Sequence, residues 1–159
     1  MSRSGYTGET DDNWCSICWR GAVASAIRGR RGQAFLREML AALAALPAPR
    51  LIKNDFSTEG EVCALGAVAR SRGLDVTTWM DRDDPYFGEW INMTEGFSWY
   101  LTLPPSDAEV NRDRVVADLA IPNALACEIM YENDEGTWRE ETPEQRFARV
   151  RAWIEGHLR

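Results

Sequence analysis

The chain has 159 residues, the length of one domain, and a chain of that size buries roughly two thirds of its unfolded surface without a metal or disulfide staple. Apolar residues make up 45% and charged residues 27%, an ordinary globular balance that argues against disorder, and the longest apolar run, Met39 to Leu46, is far short of the roughly 20 residues of a membrane span. The net charge of −7 divides unevenly, +3 over residues 1–74 and −10 over residues 75–159, a balance that disfavours generic affinity for nucleic-acid phosphates.

Residues 1–12 are polar and glycine-containing, so they read as a flexible arm rather than a signal peptide or anchor, and the expected setting is a cytoplasm. The single domain is then 13–159. Asp12 or Asn13 can cap a first helix from Trp14 to about Arg28. The run from Arg28 through Gly32 breaks it, and a second helix follows from Gln33 to Leu46. There Leu36, Met39, Leu40, Leu43 and Leu46 recur at helical spacing, and Pro47 stops the helix. Thr58 and Glu61 have the spacing of a capping box, which places a third helix over Val62, Leu65, Val68 and Ala69, with Gly73 ending it. Ser106 and Glu109 form a second box before a fourth helix bearing Val110, Val115, Val116 and Leu119. Pro122 suits the first turn of a fifth, with Leu125, Ala126, Ile129 and Met130 inward. Thr142, Pro143 and Gln145 open a sixth along Phe147, Val150, Ile154 and Leu158.

Residues 79–105 differ in kind, holding seven of the sixteen aromatic residues: Trp79, Tyr86, Phe87, Trp90, Phe97, Trp99 and Tyr100. Phe97, Trp99, Leu101 and Leu103 alternate with polar or amphipathic neighbours, the period of a half-buried strand. A hairpin of Trp90–Met93 with Phe97–Leu103, turning at Gly96, is the expectation. The expected fold class is therefore mainly α, a compact bundle of about six helices with an inserted aromatic β-hairpin.

Catalytic constellations are scarce. The lone His157 and lone Lys53 have no companions at a recognisable spacing, and no P-loop, dinucleotide fingerprint or nucleophile elbow occurs. Cys15 and Cys18 have a zinc-knuckle spacing, but the other two ligands would have to come from Cys63, Cys127 or His157, none of which forms a second close pair. Asp81, Asp83 and Asp84 lack the glycine and distal glutamate of a calcium loop. Glu128 and Glu132 are four apart on a helix without a Glu-x-x-His companion. The expectation is a protein without cofactor, metal or catalytic activity.

Two collective features remain. The acidic, aromatic set Asp81, Asp83, Asp84, Tyr86, Phe87, Glu89, Trp90 and Glu95, with Glu132, Asp134 and Glu135, has the makeup of a surface that recognises an arginine-rich partner. The basic set Arg28, Arg30 and Arg31 supports the opposite reading. Two helices around that run, then a third with Arg70 and Arg72 and a hairpin, imitate a winged DNA reader, although this wing would carry negative charge.

The stretches Trp19–Glu38, Gly60–Arg70, Tyr131–Glu135 and Glu141–Trp153 resemble a family of small proteins found in phages and prophages of proteobacteria. Residues 79–105 and the pair Cys15 and Cys18 depart from its pattern. The resemblance implies an accessory protein of a mobile element. Small acidic proteins of that kind include inhibitors of host immunity, anti-CRISPR proteins among them. The expected function is thus a phage-encoded inhibitor that binds a host defence protein or ribonucleoprotein complex stoichiometrically and occludes its basic groove. A small DNA-binding regulator is the alternative.

Overall fold

The computed structural model describes residues 13–79, 107–137 and 139–159. The described residues are mainly helical. Helices α1 (Asn13–Arg28), α2 (Arg30–Ala44), α3 (Ala64–Ser71), α4 (Asp107–Leu119), α5 (Asn123–Asp134) and α6 (Pro143–His157) are joined by a two-stranded hairpin, β1 (Ser57–Thr58) and β2 (Glu61–Val62), and a 3-10 turn over Val76–Trp79. The expected hairpin at 90–103, the arm 1–12 and the box at Ser106 lie outside the described residues.

Helix α5 packs against α1, α3, α4 and α6, and α2 packs against α1, α3 and α6. The core follows the helical periods in the sequence: Leu36, Met39 and Leu43 from α2, Leu65 and Val68 from α3, Val115 and Leu119 from α4, Leu125, Ile129 and Met130 from α5, and Val150 and Ile154 from α6 are all buried. Each such side chain contributes about 1.5–3 kcal/mol of apolar burial.

Gly29 alone separates α1 from α2, so α2 starts at Arg30, three residues before the expected start at Gln33. The corner is this tight because Gly32 lies against the end of α1: a Cβ there would come within 1.9 Å of the Ala26 carbonyl oxygen. Thr142 and Gln145 form the expected capping box with both reciprocal bonds, and Pro143 occupies the first turn of α6.

The expected box at Thr58 is not a helix cap. Thr58 pairs with Glu61 across the small hairpin, turning through Glu59 and Gly60 at φ 52° and 84°, the geometry of a two-residue hairpin turn with both φ values positive. The Thr58 hydroxyl donates to Asp55. Helix α3 starts later and is capped by Cys63, whose Sγ accepts from the Gly66 amide at 3.4 Å. Trp79, the first aromatic of the 79–105 segment, belongs to the core: it is fully buried, meets Phe56 edge-on at 5.2 Å and donates through Nε1 to Asp118 Oδ2 at 2.6 Å.

Two of the arginines assigned to the DNA-reading alternative are used internally. Arg72 grips Glu38 with two bonds of 2.6 and 2.7 Å and donates to the Leu119 carbonyl at 2.9 Å, tying α2, α3 and α4 together. Its hydrogen bond holds the Glu38 carboxyl below the usual range. Arg70 donates to the Gly60 carbonyl at 2.8 Å.

Candidate functional site

The acidic run after Glu128 divides according to helix phase. Asn133 and Asp134, both buried at the end of α5, fasten that helix to the loop before β1 and to the start of α3. Asn133 Oδ1 accepts from the Ala64 amide at 3.1 Å, and its Nδ2 donates to the Ile52 carbonyl at 2.9 Å and to Asp134 Oδ1 at 2.7 Å. The same Asp134 oxygen accepts from the Asn54 amide at 3.1 Å, which fixes Asn54 at its φ of 62°.

Glu132 turns toward α6. Arg149 donates to its backbone carbonyl and lies 3.4 Å from its carboxylate, while clasping Glu141 with bonds of 2.8 and 2.9 Å. Burial raises the Glu132 carboxyl above the usual range, and the charge of Glu128 adds to that, against the pull of Arg149 and His157. Hydrogen bonding to Arg149 lowers Glu141. Arg146, 7% exposed, donates to the Leu51 carbonyl at 2.9 Å. Asp134 and Glu132 were expected on a recognition surface; the first is enclosed by hydrogen bonds and the second is mostly covered, its side chain 18% exposed.

Glu135 stands elsewhere. With Glu128 and Tyr131 it forms one wall of a groove of about 800 Å³. These three follow i, i+3, i+7 spacing, so they share a face of α5 and its C-cap. The opposite wall is α1, where Arg20, Ala24 and Arg28 follow i, i+4, i+8 and Val23 and Ile27 supply apolar surface. Gly156, His157 and Arg159 close one end. The His157 ring is held there by Trp153, with Nδ1 2.8 Å from the Trp153 carbonyl oxygen.

The groove runs out to the α1–α2 corner. Gln33, buried under that corner, donates to the Ile27 and His157 carbonyls at 3.0 and 2.8 Å and accepts from the Arg159 amide at 2.8 Å. One amide thus binds the ends of α1 and α6 to the start of α2. Arg28, Arg30 and Arg31 are exposed at the corner, and Arg28 Nε donates to the Ala24 carbonyl at 3.0 Å. The first turn of α2 contains no acid, and its N-cap, Gly29, makes no side-chain cap bond. The last turn of α5 contains no base. Each of these helix ends carries charges of the sign its own dipole disfavours, an effect of about 0.3–1 kcal/mol per charge.

Asp81, Asp83, Asp84, Tyr86, Phe87, Glu89, Trp90 and Glu95 lie outside the described residues. Among the described residues no three metal-ligating side chains converge, no helix is long and apolar enough to cross a membrane, and Cys18 is exposed while Cys63 and Cys127 are buried. The groove was not foreseen from the sequence. Glu128 pairs at first sight with Glu132 at i, i+4, yet its partners in the groove are Tyr131 and Glu135, and the matching Arg20–Arg28 stripe is the signal that could have located it. No protein-family model, curated protein or solved structure matches the chain.

Proposed function

We propose that this protein acts by stoichiometric binding: it is a mobile-element inhibitor that docks on a host defence protein or ribonucleoprotein complex and blocks a nucleic-acid or subunit-binding surface. The observation that carries the reading is the groove between α1 and α5, whose walls bear opposite charge along an apolar floor. Such a surface favours a protein partner over a phosphate backbone, because Glu128 and Glu135 repel the very charges that Arg20 and Arg28 attract. The exposed Arg30 and Arg31, kept against the helix dipole at the start of α2, support the same reading, since a partner's carboxylates would offset a charge that the free fold disfavours.

The test is to isolate the complex formed in a proteobacterial host and weigh it by size-exclusion chromatography with light scattering. A defined complex with equimolar partner supports the proposal. The absence of any defined complex refutes it.

The DNA-regulator alternative keeps one favourable observation, the exposed Arg28, Arg30 and Arg31 at the α1–α2 corner. Against it, one residue joins these helices where a DNA-reading helix-turn-helix uses a turn of 3–4 residues. A mobility shift of duplex DNA that falls steeply with salt and weakens in Arg30→Ala with Arg31→Ala would establish it.

A further inference from the structure

We infer that the solvent face of α1, with the arginines of the α1–α2 corner, is a docking surface for a protein partner that presents carboxylates around an apolar patch. The inference rests on the partner-binding reading but concerns a different surface from the groove. Ile17, Cys18, Gly21, Ala22 and Ser25 are all exposed, and the helical repeat places them within about 140° of one another on α1. An exposed helix face ordinarily carries charged side chains. This one carries none from Ile17 to Ser25, because α1 contains no acid and Arg20 falls outside that arc. Ile17, 59% exposed, is the one large hydrophobic side chain left in solvent among the described residues. Gly21 has open space where a side chain would stand, so a partner can approach the helix backbone closely there.

The charges bordering that face are arginines that the fold does not use. Elsewhere arginine is tied to acid: Arg50 to Glu61, Arg72 to Glu38, Arg149 to Glu141 and Arg151 to Glu155. Arg20, Arg30 and Arg31 have no hydrogen-bond or ion-pair partner among the described residues, and the one acid of α2, Glu38, is already held by Arg72. Charge complementarity therefore asks for carboxylates, which guanidinium groups bind bidentately. Arg30 and Arg31 also stand at the positive end of α2, where a carboxylate meets the guanidinium and the helix dipole together. The uncharged stripe decides between an acidic protein and a nucleic acid. A phosphate backbone is bound through cations and donors, and Ile17, Gly21 and Ala22 supply neither from their side chains. A protein interface surrounds an apolar centre with a polar rim, and the α1 face has that arrangement.

Three fluorescent probes matched in negative charge test this by anisotropy on the full chain: a peptide of interspersed glutamate and leucine, polyglutamate, and a short DNA duplex. The glutamate–leucine peptide should bind about tenfold more tightly than either of the others. Ile17→Glu with Gly21→Glu should remove that advantage. Arg30→Glu with Arg31→Glu should weaken the peptide by about tenfold or more while raising the melting temperature, because acids suit the start of α2. That rise separates a lost contact from a lost fold. Tightest binding of the duplex would assign the arginines to nucleic acid, and equal binding of polyglutamate would leave the α1 face without a part. Either result overturns the inference, as does no binding by any probe, or a peptide advantage that survives Ile17→Glu with Gly21→Glu. If the host complex forms and survives all four substitutions together, this surface fails while the partner-binding reading stands; if no host complex forms, that reading itself fails.

Discussion

The end of α5 and the groove beside it draw on one acidic stretch of sequence and use it in opposite ways. Asn133 and Asp134 point inward and are enclosed by the Ala64 and Asn54 amides, and Glu132 is folded under Arg149. Glu128 and Glu135, on the adjacent face, line an open groove opposite Arg20 and Arg28. About 100° of rotation per residue decides which acids are enclosed by the fold and which line the groove. A count of acids along the chain cannot make that distinction; helical phase can.

The comparison breaks most readily at its inner side. Asn133→Ala strips bonds from the Ala64 amide and the Ile52 carbonyl at once, and should cost about 3 kcal/mol in denaturant unfolding, since each buried group left unpaired costs roughly 1–3 kcal/mol. Arg149→Met leaves Glu141 and the end of α5 uncompensated. With its side chain 22% exposed, the loss should be nearer 2 kcal/mol than the 3–5 kcal/mol of a fully enclosed pair.

The pH dependence separates the two glutamates on Arg149. Glu141 has a lowered pKa, so its stabilisation is present above about 4.5 and is lost as pH falls through the folded value. Glu132 has a raised one, so the folded chain binds the extra proton and stability is lost as pH rises from about 4.5 through the folded value. Relative to Glu132→Gln, the unaltered protein should therefore lose stability over that upper window, and relative to Glu141→Gln it should lose it over the lower one. Urea titrations at stepped pH measure both slopes, and slopes of the same sign would contradict the assignment.

Much of the fold was legible because helices announce themselves twice, by period and by caps. The α2 and α6 stripes needed nothing beyond the i, i+3, i+4 rule, and Thr142 with Gln145 closed the box that its spacing described. The Thr58 box misled because the same spacing spans a two-residue hairpin when the residues between can adopt positive φ, as Glu59 and Gly60 do. Trp79 was grouped with its aromatic neighbours by proximity in sequence, but its environment is set by Phe56 and Asp118, which are 23 and 39 residues away. The site was less legible still. Its two walls come from stretches about a hundred residues apart, and only the packing of α1 on α5 brings them to one groove.

On the open side the expected stability effects are small, which sharpens the contrast. Arg20→Ala with Arg28→Ala should cost no more than about 1 kcal/mol of unfolding free energy, most of it the favourable charge of Arg28 at the negative end of α1. Smaller again, Arg30→Ala with Arg31→Ala should stabilise the chain by a few tenths of a kcal/mol, about what is gained by removing positive charge from the positive end of α2. Thermal melts resolve both, and a large loss in either pair would place these arginines among the structural charges.

The most direct measurement of the central claim is a titration of the captured host target with this protein, following the target's own activity. Occlusion predicts a linear fall that ends at one equivalent. Complete loss of activity at a small fraction of an equivalent would mean turnover, and would contradict an account built on binding alone.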